Sequence, residues 1–129
     1  NFSLNGLDRS GPHGVKGDAI AWLRTFARQG RTFHGIVLDP PTFSRSGKDT
    51  FRTDRDYADL AGLAVALLEP GGWLLCCANT HRLSAAQFEK DVFAGIRAKR
   101  RRVLSHEAPP MPPEFGGDDY LKTLRIVVE

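Results

Sequence analysis

The stretch Ile36-Val37-Leu38-Asp39-Pro40-Pro41-Thr42-Phe43 gathers residue types that could do chemistry. Its apolar run delivers a carboxylate, Asp39, to the carboxyl end of a strand, where open α/β sheets bind ligands. The two prolines fix the backbone, and Pro40 has no N–H, so strand hydrogen bonding stops there. Carbonyl groups held in so rigid a turn can be aimed at a substrate's donor groups. Phe43 can stack on a flat ring, which is how an extruded base is held. The plainer reading is a strand stop followed by a turn. A buried strand before the motif and a long polar stretch after it favour substrate contact.

Other residue types fall around this motif. Asp18 stands just before an apolar-periodic segment and suits a helix N-cap. Arg45, Lys48, Arg52 and Arg55 follow Phe43 and could meet nucleic-acid phosphates. Arg97, Lys99, Arg100, Arg101 and Arg102 form a second basic cluster. At a helix end it could neutralise phosphates or simply complement the helix dipole. His34, His81 and His106 have no metal-ligand spacing, and no metal is expected. Cys76 and Cys77 are adjacent, a strained geometry for bridging each other. Inside a strand they read as small buried hydrophobes, in keeping with a reducing, cytoplasmic setting.

The elements that must position these residues alternate in type, which argues for an α/β sheet. His13 to Lys16 is a short strand candidate, and Ala19 to Arg28 is a helix with Ile20, Leu23, Phe26 and Ala27 on one face, ended by Gly30. Phe33 to Leu38 reads as a buried parallel strand. Thr42 to Asp54 reads as a polar loop. Tyr57, Leu60, Ala61, Ala64, Leu67 and Leu68 recur with helical spacing, and Glu69-Pro70-Gly71-Gly72 turns that helix into a strand over Trp73 to Ala78. Ser84 and Gln87 form a capping box for a helix that buries Phe88, Val92 and Ile96. Arg102 to His106 and Tyr120 to Val128 are strands, joined by a Pro- and Gly-rich loop over Ala108 to Gly117.

Composition sets the outer bounds. The 129 residues suit one domain or part of one. A hydrophobic fraction of 41% permits a packed core, and a net charge of +3 permits a nucleic-acid partner without requiring one. No apolar run approaches the roughly 18 residues of a membrane span, so no membrane partner is expected. The start at Asn1 leads to the expectation of a piece excised from a longer protein. The oligomeric state stays open.

Taken together and in order, these motifs resemble the ribosomal RNA methyltransferases of the large subunit, a branch of the class I, Rossmann-like enzymes. The resemblance runs through Asn1-Phe2-Ser3-Leu4-Asn5-Gly6-Leu7, Gly17-Asp18-Ala19-Ile20-Ala21-Trp22-Leu23, Asp39-Pro40-Pro41-Thr42-Phe43-Ser44 and Arg55-Asp56-Tyr57. It continues in Pro70-Gly71-Gly72-Trp73-Leu74-Leu75, Asn79 and Tyr120-Leu121-Lys122. It covers nearly the whole chain and is weakest between Phe93 and Pro113.

The resemblance implies S-adenosyl-L-methionine as cofactor and ribosomal RNA as partner. Asp18 would accept a hydrogen bond from the adenine amino group, with the Ala19 backbone beside it, and Asp39 and Pro40 would line the space between the methyl sulfonium and the target atom. Relatives that methylate a cytosine ring carbon carry a cysteine nucleophile where this chain has Asn79, whereas relatives that methylate a guanine nitrogen carry asparagine. Asn79 favours guanine nitrogen over cytosine carbon, while Tyr120-Leu121-Lys122 looks more like the cytosine relatives.

The implied fold is an incomplete Rossmann-like sheet, its last strand antiparallel, with the first two strands and the glycine-rich loop missing. Residues 1–129 would be the C-terminal part of one catalytic domain and would be inactive alone. Its sheet would have a gap between His13–Lys16 and Phe33–Leu38, with unpaired edges on both sides. Two other functions stay open: a methyltransferase for protein or a small molecule, and a non-catalytic RNA-binding remnant.

Overall fold

The computed structural model describes residues 3–6, 14–46, 49–115 and 120–129. A 3-10 turn at Ser3–Asn5 precedes helix α1 (Ala19–Arg28) and strand β1 (Phe33–Leu38). A ribbon follows, β2 (Phe43–Ser46) and β3 (Asp49–Arg52), then α2 (Thr53–Val65) and β4 (Leu68–Asn79). Helix α3 (Ala85–Ala98), β5 (Val103–Glu107), a 3-10 turn at Pro113–Phe115 and β6 (Leu121–Val128) complete it.

Four strands form one sheet in the order β1-β4-β6-β5. Strands β1 and β4 run parallel, which requires the crossover that α2 supplies, and the other two pairs are antiparallel. The core lies on one face of the sheet. Leu74, Cys76 and Ala78 of β4 and Leu124, Ile126 and Val128 of β6 point there, against Tyr57, Leu60, Ala61 and Ala64 of α2 and Phe88, Val92 and Ile96 of α3. The period-2 burial of both strands and the helical spacing on α2 and α3 are the same apolar pattern seen from two sides.

Helix α1 begins where the sequence suggests. Asp18 is its N-cap, its carboxylate accepting from Ala21 N at 2.8 Å. Ser84 caps α3 in the same way, accepting from Gln87 N at 3.2 Å. The reciprocal half of that capping box is not made, because the Gln87 side chain donates instead to Asp91 at 2.7 Å, one turn along the helix.

Several expectations are corrected. His13 lies outside the described residues, and Gly14 to Lys16 form no strand. Among the described residues no strand flanks them to take their backbone hydrogen bonds, and a lone extended segment is not stable by itself. The four strands are therefore contiguous, without the expected gap, and β1 is an edge. Thr42 to Asp54 is not a loop but the β2–β3 ribbon and the first residues of α2. Its polarity is misleading because backbone pairing holds the ribbon, while Phe51 turns into the core at 9% exposure.

Helix α2 ends at Val65, so Leu67 and Leu68 are buried outside it. Phe33 N donates to Leu67 O at 2.8 Å, which starts the sheet there. Glu69-Pro70-Gly71-Gly72 then forms an irregularity inside β4, since Phe33 pairs with Leu68 but Gly35 already pairs with Trp73.

The basic cluster after α3 also has a structural occupation. Arg101 donates to the carbonyls of Val65, Leu68 and Glu69 and of Glu129, so it ties the end of α2 to the end of β6. Arg102 pairs with the Glu129 carboxylate.

Candidate active site

The motif leaves the sheet at its carboxyl edge, held there by side chains of α2 and by main-chain carbonyls of β4. The β1–β4 ladder has its last pair at Leu38 and Cys76. Beyond it, Thr42 Oγ1 donates to Asn79 O at 2.8 Å, and Thr53 Oγ1 donates to Pro41 O at 3.0 Å. Thr53 N donates to Thr42 O at 3.2 Å. Below them the buried Tyr57 hydroxyl donates to Cys77 O at 2.8 Å, with Leu38 O at 3.3 Å. Polar groups that the prolines would leave without strand partners are thus satisfied by side chains. Asp39, at the head of this turn, is exposed to solvent.

A cleft of about 690 Å3 opens between the start of α1 and the end of β1. Asp18, Ala19, Asp39 and Pro40 all line it, so four residues singled out in the sequence share one cavity. Ile20, Leu23 and Ile36 make its apolar wall. One Asp18 oxygen is committed to the helix cap, and a carboxylate has a second oxygen to offer an N–H donor. The N-terminus of α1 adds the positive end of its helix dipole. An apolar slot with a hydrogen-bond acceptor at its rim suits a flat heterocycle bearing an amino group.

Phe43 and Asn79 do not line the cleft. Phe43 opens β2 with 51% of its surface exposed, and Asn79 closes β4, exposed and next to the motif through its Thr42 bond. Both stand at the same edge of the sheet as Asp39.

The proposed phosphate-binding residues fare unequally. Lys48 lies outside the described residues, and Arg45 is described only as a backbone member of β2. Arg52 reaches Asp54 at 2.7 Å and Arg55 reaches Asp56 at 2.6 Å. Each pair holds its carboxylate below and its guanidinium above the ordinary value, the hydrogen bond between them being the main cause. Arg55 is exposed and Arg52 half-buried, so the Arg55 pair is the cheaper of the two to exchange for a phosphate.

Burial keeps the thiols beneath the site neutral. Cys76 is fully buried and its pKa is pushed up to about 12, while half-buried Cys77 is raised by burial and by the nearby Asp39 charge. Among the described residues no three His, Cys, Asp or Glu side chains gather as a metal site.

Sequence reasoning missed two residues. Tyr57 was legible as a core position of α2 and as part of the Arg55-Asp56-Tyr57 match, and neither announces a hydroxyl aimed at two strand ends. Lys122 is 7% exposed and donates to Thr80 O at 2.8 Å and Tyr120 O at 3.0 Å. The signal for it was present: a lysine in phase with Leu124, Ile126 and Val128 on the inward face of β6.

The architecture is that of the S-adenosylmethionine-dependent methyltransferase folds. The crystal structure of SMU.776 complexed with SAH matches with a TM-score of 0.83 and 26% identity, over 98% of this chain and 34% of that one. The SAM-dependent methyltransferase from Agrobacterium tumefaciens shares the fold at a TM-score of 0.70 and 18% identity, over 99% of this chain and 43% of that one.

In sequence, the chain is 39% identical over 132 residues to ribosomal RNA large subunit methyltransferase I of Aeromonas hydrophila, covering 98% of this chain and 33% of that protein. It is 30% identical over 133 residues to ribosomal RNA large subunit methyltransferase of Deinococcus radiodurans, covering 100% and 33%. The chain thus spans about a third of the length of the curated relatives it matches. No protein-family model matches it.

Proposed function

We propose that these residues are the C-terminal part of the catalytic domain of an S-adenosylmethionine-dependent methyltransferase that modifies large-subunit ribosomal RNA. The observation that carries this reading is the shared cleft, which is lined by Asp18 and Ala19 at the start of α1 and by Asp39 and Pro40 in the turn after β1. The names of the sequence relatives supply the RNA class.

The cleft fits the adenine end of that cofactor. Asp18 would accept from the ring's amino group, with Ile20, Leu23 and Ile36 as apolar wall for the ring. When bound, the cofactor supplies an electrophilic methyl group. Asp39 and Pro40 then orient the accepting atom, and Phe43 stacks on the target base and holds it against the turn. Arg45, Lys48, Arg52 and Arg55 take the flanking phosphates, with Arg52 and Arg55 leaving their aspartate partners.

A guanine nitrogen is favoured over a cytosine carbon. Methylating a cytosine carbon needs a thiolate nucleophile, whereas Asn79 closes β4 and both nearby thiols are held protonated. A nitrogen needs only orientation, which an amide at that place can give.

The test uses the full gene product, tritiated S-adenosylmethionine and undermodified ribosomal RNA, followed by digestion to nucleosides. Methylated guanosine is expected. Methylated cytidine would overturn the choice of base. Incorporation into protein or a small molecule instead of RNA would overturn the substrate. RNA binding without any transfer would favour a non-catalytic remnant.

A further inference from the structure

The β1–β4 ladder closes at Leu38 and Cys76, yet the residues placed at the site lie past it, at Asp39 and Asn79. Pro40 and Pro41 have no N–H to carry the pairing forward, and twisted strands diverge once hydrogen bonding stops. Two side-chain hydroxyls occupy the place of the missing rungs. Tyr57, fully buried, donates to Cys77 O and lies within reach of Leu38 O, so one O–H bridges both strands at the last rung. One step further out, Thr42 Oγ1 donates to Asn79 O. The Tyr57 ring is itself fixed edge-on against Phe88, with centroids 5.0 Å apart.

We propose that Tyr57 and Thr42 are positioning residues of the transfer reaction, a two-point clamp that sets Asp39 relative to Asn79. This rests on the reading of the site given above. Neither hydroxyl touches substrate in this role. Each acts on main-chain atoms, and the consequence is the placement of two strand ends within the tolerance that transfer requires. The Asp18 side of the cleft hangs from α1 and does not depend on either bond, so cofactor affinity and turnover separate.

The test uses the full gene product with Tyr57→Phe, Thr42→Val and Thr42→Ser. Tyr57→Phe and Thr42→Val are each expected to lower kcat by about tenfold or more, since small misplacements of reacting groups are costly. Their dissociation constants for S-adenosylhomocysteine stay within about twofold of wild type, and Thr42→Ser, which keeps the hydroxyl, restores kcat. Val128→Ala serves as the stability control, because Val128 is buried at the end of β6 opposite the turn and touches neither hydroxyl. It is expected to lower the melting temperature while leaving kcat at 25 °C near wild type. Unchanged kcat in both hydroxyl variants overturns the clamp, as does an equal loss of kcat in Val128→Ala at the same loss of melting temperature. Thr42 is exposed, so Thr42→Val and its serine rescue decide the matter alone if Tyr57→Phe fails to fold. A wild-type protein without transfer activity overturns the functional reading itself, whereas an active wild type with unaffected variants overturns only the clamp.

Discussion

Gly95 of α3 meets the carbonyl oxygen of Ala58 in α2 with no space between them for a side chain. A Cβ at position 95 would overlap that oxygen and stand 2.9 Å from Gly62 N. The obstacles are helix backbone, so neither can yield without moving an element. Gly95→Ala should therefore force α2 and α3 apart and destabilise the fold by about 1–3 kcal/mol, the usual cost of overpacking. Urea unfolding monitored by circular dichroism measures this. A midpoint at or above that of wild type would show that the helices slide freely past one another.

On the proposed function, Asp39→Ala in the full gene product should abolish methyl transfer with little loss of fold. Asp39 is exposed at the end of β1, and surface substitutions away from special features usually change stability by no more than about 0.5 kcal/mol. Tritium incorporation beside a thermal melt gives both readings. Normal incorporation would remove Asp39 from the site.

Asp18 serves two purposes that different substitutions separate. Asp18→Ala loses the bond to Ala21 N and should cost about 0.5–2 kcal/mol of stability, as well as weakening S-adenosylhomocysteine binding. Asp18→Ser can still cap α1, so its melt should recover while calorimetry shows affinity still reduced. Wild-type affinity in the serine variant would leave Asp18 with the cap alone.

On the same reading, Phe43→Ala in the full gene product should slow turnover of RNA without changing cofactor affinity. The ring is half exposed and outside the cleft, so its removal leaves little cavity. Stacking on one base contributes on the order of 1–3 kcal/mol, enough to read as a rise in KM for RNA. Equal damage to both properties would make Phe43 a packing residue.

The parts of this fold legible in the sequence are those set by local pattern. The limits of α1 and β1, the caps at Asp18 and Ser84, and the buried faces of α2 and α3 follow from periodicity and capping chemistry. The β2–β3 ribbon was hidden because its stability lies in backbone pairing, which polar side chains such as Ser44 and Thr50 do not advertise. Val15 was misread for the opposite reason: a β-branched residue suits a strand, but a strand exists only where a neighbour accepts its hydrogen bonds. At the site, the residue types of Asp18 and Asp39 could be read from their places beside regular elements. The Tyr57 and Thr42 bonds join residues 20 and 37 positions apart in the chain, and no local signal encodes them.

Stability above neutral pH should carry the signature of Cys76. Its thiol is fully buried, and burial raises its pKa from 9.0 to about 12. In the unfolded chain the same thiol ionises near its ordinary value. Above about pH 9 the unfolded state therefore gives up a proton that the folded state still holds, and stability falls as pH rises. The stabilisation is complete below pH 9 and is lost between there and about pH 12. The raised Tyr57 hydroxyl acts in the same direction, starting about one pH unit higher. Cys76→Ala removes the first contribution and leaves the second. Comparing wild type with Cys76→Ala, the difference in unfolding free energy should be constant from pH 7 to 8 and shrink steadily from pH 9 to 10.5. Denaturant melts at each pH in one buffer series supply the measurement, with alkylation by iodoacetamide as an independent probe of the folded thiol. A constant difference across the whole range, together with rapid alkylation of Cys76 in the native protein at pH 8, would mean that the thiol is neither buried nor raised.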